Sequence, residues 1–135
     1  MKEVIIIDDS NTKVSDITTY INRIYPNVPV RVFNYRNPAL RHLSQNKKEI
    51  REDIDNYLIV LDMCFPLYEG HFPEKDMGLS VLRELERIDL PIKTMVCSSD
   101  KQNITDFDFV LGSITYDYSV DLTNAFSEMT KKLNS

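Results

Sequence analysis

Two stretches decide the fold: Val4-Ile5-Ile6-Ile7-Asp8-Asp9-Ser10 and Tyr57-Leu58-Ile59-Val60-Leu61-Asp62. Each is a short apolar run that ends abruptly in acid. The runs do not alternate apolar with polar residues, so neither reads as a strand with one wet face. A short unbroken run of this kind reads as a strand buried on both faces, the pattern of a parallel sheet.

Working outward, Val14, Ile17, Ile21 and Ile24 recur at helical spacing, and Tyr25-Pro26-Asn27 stops that helix. Val28 to Phe33 reads as a second strand, with Pro29 near its start, where a missing N–H is least harmful. Asn37-Pro38 has the form of a helix cap followed by proline at the first helical position, and Leu40, Leu43, Ile50 and Ile54 continue the period. After Asp62 a loop carries Pro66, Gly70 and Pro73. A helix with Leu79, Val81, Leu82, Leu85 and Ile88 follows, and Pro91 resets the chain. Thr94 to Cys97 reads as a fourth strand ending at Ser98-Ser99, and Phe107 to Leu111 as a fifth. Leu122, Ala125, Phe126, Met129 and Leu133 mark a last helix, with Asp117 or Ser119 as its cap. Strands and helices alternate throughout, which predicts an α/β domain with a parallel sheet and helices on both faces.

The 135 residues suit one domain spanning 1–135, and no repeat or linker interrupts them. No apolar run approaches the ~20 residues of a membrane helix. The apolar start meets Asp8 too soon for a signal peptide, so no membrane contact and a cytoplasmic location are expected. Two cysteines make no disulfide framework. A net charge of −5 argues against direct nucleic-acid binding through phosphate neutralisation.

Parallel strands joined by right-handed crossovers place their carboxyl ends on one edge of the sheet, and ligands of open α/β sheets bind there. At that edge the sequence puts Asp8-Asp9, Asp62 and Ser98-Ser99. Carboxylates brought together raise one another's pKa, and burial adds to the penalty. A divalent cation removes it. Mg²⁺ prefers hard oxygen ligands, takes one or two carboxylates and completes its shell with water and phosphate oxygen. One carboxylate is then free to act as a nucleophile.

At this point the sequence resembles the receiver domains of two-component response regulators. Val4 to Ser10 resembles that family's first strand and acidic pair. Leu58-Ile59-Val60-Leu61-Asp62-Met63-Cys64-Phe65-Pro66 resembles its phosphorylation strand, with proline four residues after the aspartate. Met95-Val96-Cys97-Ser98-Ser99 resembles its fourth strand with a terminal hydroxyl residue. The resemblance implies a doubly wound, flavodoxin-like sheet of five parallel strands in the order 2-1-3-4-5. It implies a Mg²⁺ cofactor, with Asp62 as phospho-acceptor, Asp9 as direct ligand, Asp8 acting directly or through water, and the Cys64 backbone carbonyl completing the protein's share. Ser98 would contact the phosphoryl group and carry the switch, or Ser99 or Cys97 if the register differs by one. The implied partners are a histidine kinase or phosphotransfer protein and a downstream protein, with homodimers also in the family's repertoire. No catalysis is expected beyond self-phosphorylation and self-dephosphorylation at Asp62.

The departures are specific. The family's lysine at the end of strand five, with its following proline, is absent from Phe109-Val110-Leu111-Gly112-Ser113-Ile114; Lys101 or Lys93 would replace it only if the backbone brings one close. The loop from Asp62 to Gly78 is long. Asp100 to Asp106 allows barely two turns, so a shortened fourth helix is expected and the usual output surface is altered. A phosphorylation-independent pseudo-receiver acting as a protein-binding module is therefore the alternative. A Mg²⁺-dependent phosphohydrolase is weaker, because Asp62-Met63-Cys64 lacks a second aspartate two residues on. Plainer readings stand beside these: Asp8-Asp9 as a helix cap, Asp62 as a solvated strand end, and Ser98-Ser99 as a cap. His71 reads as a solvated loop residue, and Cys64 with Cys97 forms a redox pair only if the fold brings their Cβ atoms close.

Overall fold

The computed structural model describes residues 1–117 and 122–133. Five strands, β1 (Glu3–Ile7), β2 (Val30–Phe33), β3 (Tyr57–Leu61), β4 (Thr94–Ser98) and β5 (Val110–Thr115), form one sheet in the order β2-β1-β3-β4-β5. Every pairing is parallel. The helices are α1 (Asn11–Ile24), α2 (Arg36–Gln45), α3 (Lys47–Glu52), α4 (Met77–Arg87) and α5 (Leu122–Leu133), with a 3₁₀ turn at Ile54–Asn56. The parallel sheet with helices on both faces is what the alternation predicts, and the doubly wound, flavodoxin-like strand order is the one the resemblance implies.

The two central strands explain why. Along β1 and β3 successive side chains point to opposite faces, and both faces are dry. Ile5, Ile7, Ile59 and Leu61 pack with Leu40 and Leu43 of α2 and Val81, Leu82 and Leu85 of α4. Val4, Ile6, Leu58 and Val60 pack with Ile17 and Ile21 of α1 and Phe126 and Met129 of α5. Both runs are essentially free of water contact, as unbroken apolar runs demand.

Several boundaries differ from the sequence reading. Strand β2 begins at Val30, two residues after the expected Val28. The helical period over Leu40–Ile54 is broken at Asn46, whose side chain donates to the His42 carbonyl at 2.8 Å, and the segment forms two short helices and a 3₁₀ turn. Helix α2 begins at Arg36, so Asn37-Pro38 lies inside its first turn; the Asn37 amide oxygen accepts from Arg36 Nη1 at 2.6 Å rather than capping. The fifth strand lies at Val110–Thr115, three residues later than expected. Phe107 and Phe109, which gave the apolar signal, belong instead to an irregular strap over 99–109 that packs Ile104 and Phe107 onto the α2–α4 face. The shortening of the helix between β4 and β5 is thus complete, because the strap covers the sheet with no helical turn. Of the two proposed caps for α5, Asp117 precedes the helix by five residues and Ser119 lies outside the described residues.

Candidate phosphoryl and metal site

The chain leaves β1 at Ile7 and turns into α1 through Asp8-Asp9-Ser10. Ser10 is the N-cap: its hydroxyl accepts from the Lys13 backbone N–H at 3.4 Å. The acidic pair is therefore not the helix cap. Asp8 Oδ1 accepts from the Ser10 N–H at 2.9 Å, and the Asn34 side chain donates to the Asp8 carbonyl at 2.8 Å, which fixes the turn. Beside it, the Asp62 N–H donates to the Ile7 carbonyl at 2.9 Å and Asp62 Oδ1 accepts from the Met63 N–H at 2.8 Å. The parallel β1–β3 pairing sets Ile7 against Leu61, so the acids that follow are neighbours.

The outcome is convergence. One carboxylate oxygen each from Asp8, Asp9 and Asp62 lie within 4.8 Å of one another. Asp8 is 1% exposed and Asp62 is 8% exposed, whereas Asp9 is partly open to solvent. A cleft of about 570 Å³ opens over them, lined by Asp9, Ser10, Lys13, Asp62, Cys64, Pro73, Ser99, Tyr116 and Asp117. Ser98 is the buried last residue of β4, and its hydroxyl accepts from the Asp100 N–H at 3.4 Å. Of these two adjacent serines, Ser99 is the one that lines the cleft.

The sequence reading missed the cation of this cleft. Lys13 Nζ lies 2.8 Å from Asp8 Oδ2 and 3.1 Å from Asp62 Oδ1. The residue is 5% exposed, and the Tyr116 ring centroid lies 5.8 Å from its ammonium. Lys93 stands at the opposite edge of the sheet, in a separate cavity with Asp106 and Asp108, and Lys101 is exposed. Neither is among the residues that line the cleft over Asp62. The available signal was positional: Lys13, Ile17 and Ile21 share one helical stripe, which puts a lysine on the buried face of α1.

The electrostatics follow from crowding. Burial pushes the Asp8 carboxyl up, against the pull of Lys13, and burial likewise raises Asp9. Burial disfavours the Lys13 ammonium, but Asp8 and Asp62 outweigh it and hold its pKa above the ordinary lysine value. The Cys97 thiol, buried under the site, is pushed up to about 12. Cys64 and Cys97 are both free thiols. The donor set fits a hard divalent cation. Asp8 Oδ2 is buried, and the Lys13 ammonium at 2.8 Å is its charge partner; hard carboxylate oxygens of this kind are what such an ion takes.

The long loop after β3 is pinned rather than loose. Phe65 is fully buried and bridges antiparallel to Glu74, while Pro66 and Leu67 carbonyls accept from the Arg36 and Asn37 N–H groups. Phe72, near its tip, is 90% exposed. Gly78, in the first turn of α4, is pressed against the end of β3: a Cβ there would lie 2.3 Å from the Asp62 carbonyl oxygen.

No protein-family model matches the sequence, and no curated protein does. Solved structures match it over its whole length. One is the chain matched in the complex of histidine kinase ThkA with response regulator TrrA, at TM-score 0.65 and 17% identity, covering 100% of both chains. TrrA from Thermotoga maritima in complex with Mg²⁺-BeF gives TM-score 0.63 at 17% identity, over 98% of this chain and 99% of that one. A two-component response regulator from Legionella pneumophila gives 0.64 at 16%, over 99% and 98%. The chain has the fold of a response-regulator receiver domain.

Among the described residues, no helix is long and apolar enough to cross a membrane.

Proposed function

We propose that this chain is an atypical receiver that binds Mg²⁺ through Asp8, Asp9 and Asp62, with the Cys64 backbone carbonyl, and accepts a phosphoryl group on Asp62. The observation that carries the reading is the meeting of three carboxylates within 4.8 Å at the carboxyl edge of a receiver-type sheet. The bound ion would neutralise charge that develops on the transferring phosphoryl oxygens. The Asp62 carboxylate attacks phosphorus, an O–P bond forms as the donor's N–P bond breaks, and the leaving nitrogen belongs to a histidine of a kinase or phosphotransfer protein. Ser98 or Ser99 contacts the phosphoryl oxygens, and the changed pocket is read by a downstream protein. Support for the kinase comes from the related fold seen with histidine kinase ThkA, and for the ion from the related fold seen with Mg²⁺-BeF. Catalysis is limited to the chain's own phosphorylation and dephosphorylation, in the cytoplasm.

The second reading, a phosphorylation-independent binding module, is favoured by Lys13, which partly balances the acidic cluster without any metal. Incubation with acetyl phosphate and Mg²⁺, followed by intact mass spectrometry, separates the two. The receiver reading predicts one added phosphoryl group, absent after Asp62→Asn. An unchanged mass would favour the binding module.

A further inference from the structure

Lys13 is placed where lysine is rarely found. It stands on the buried stripe of α1 with Ile17 and Ile21, both fully buried. Its first turn is anchored by the Ser10 cap, so the side chain leaves the backbone already aimed at the end of β1. Its ammonium touches two of the three carboxylates of the acidic cluster, Asp8 at 2.8 Å and Asp62 at 3.1 Å. Tyr116 flanks it, held in turn by a hydrogen bond from its hydroxyl to Asp16 of the same helix. A buried charge is tolerated when it is paired, and removing one partner leaves the other costly. The ammonium is what makes Asp8 and Asp62 compatible side by side.

A divalent ion bound by the same two oxygens would meet that ammonium at contact distance, and like charges that close repel strongly in a poorly solvated site. Yet the turn itself is held by other bonds, from the Ser10 N–H to Asp8 Oδ1 and from the Asn34 side chain to the Asp8 carbonyl, and the cleft beside it is roomy, about 570 Å³. The ammonium can therefore leave those oxygens without unfolding the turn. We propose that Lys13 is a tethered counter-cation that competes with divalent metal for Asp8 and Asp62, so that metal enters only as its ammonium withdraws. This rests on the reading that the acids form a metal site, and it sets how that site responds: weakly, and only at elevated metal concentration.

The test is calorimetric titration of the full chain with Mg²⁺, comparing wild type with Lys13→Met and Lys13→Arg. Lys13→Met should bind Mg²⁺ about tenfold tighter or more, since the competing charge is gone. Lys13→Arg, which keeps the charge, should stay near wild type. If Lys13→Met does not fold without metal, its melting temperature with Mg²⁺ replaces calorimetry, and a steeper rise with Mg²⁺ than wild type supports the proposal. Equal or weaker binding by Lys13→Met overturns the competition while leaving the metal site standing. No Mg²⁺ binding by any of the three proteins overturns both. A variant that stays unfolded at saturating Mg²⁺ also overturns it, because the ion should replace the lost charge.

Discussion

Replacing Gly78 with alanine should destabilise the protein, although alanine is the better helix former. Gly78 is the second residue of α4 and its N–H donates to the Met63 carbonyl at 3.1 Å. The new Cβ would lie 2.3 Å from the Asp62 carbonyl oxygen, 2.7 Å from Met63 Sδ and 2.9 Å from Met63 Cα. The sulfur can swing away. The two backbone atoms cannot, so either α4 lifts from the sheet or the Asp62–Met63 peptide moves. Overpacking of this kind costs about 1–3 kcal/mol, and the gain in helix propensity, at most about 1 kcal/mol in a helix interior, is smaller near the end of a helix. A net loss of about 1–2 kcal/mol remains. With an unfolding entropy of about 2.1 cal/mol/K per residue, 135 residues give about 0.28 kcal/mol/K, so the melting temperature should fall by about 4–7 °C. Differential scanning calorimetry and urea unfolding measure it. The same displacement moves Asp62, so Mg²⁺ affinity should weaken in parallel. A Gly78→Ala protein as stable as wild type would refute the claim that α4 is locked against the end of β3.

Two further outcomes follow from burial and charge. Cys64 is exposed and Cys97 is buried with its thiol pushed up to about 12, so a thiol reagent should titrate one cysteine in the native protein and two in denaturant; rapid native reaction of both would contradict the burial of Cys97. The folded pKa of Lys13 lies above its ordinary value of 10.5, because Asp8 and Asp62 outweigh the burial that opposes its charge. Its stabilising contribution is then complete below about pH 10.5 and is lost as pH rises through the folded value. Urea midpoints should fall more steeply above that pH for wild type than for Lys13→Met, and parallel curves would contradict the pairing.

Much of the architecture was readable because β1 and β3 are buried on both faces and carry the signal in unbroken apolar runs. The acids ending those runs marked the site for the same reason: in a parallel sheet, the residue after each strand lands on one edge. Sequence failed where burial is partial. β5 contains Gly112 and Ser113 and is mostly half-buried, so its period is faint, and the neighbouring Phe107 and Phe109 drew the strand assignment to themselves. Lys13 was missed because a lysine among apolar residues reads as the wet side of a helix. Only its fourfold spacing to Ile17 and Ile21 betrays the buried stripe. The strap over 99–109 had no period to read, since it covers the sheet with isolated apolar side chains.

Everything about function depends on Asp8, Asp9 and Asp62 acting as one cation-binding cluster. A crystal structure of the full chain soaked with Mn²⁺ and beryllofluoride, with anomalous data at the manganese edge, tests this directly. One manganese peak is expected among those three carboxylates, with beryllofluoride on Asp62 and the Lys13 ammonium moved off Asp8. No peak there, or manganese bound elsewhere with Lys13 still bridging Asp8 and Asp62, would contradict it.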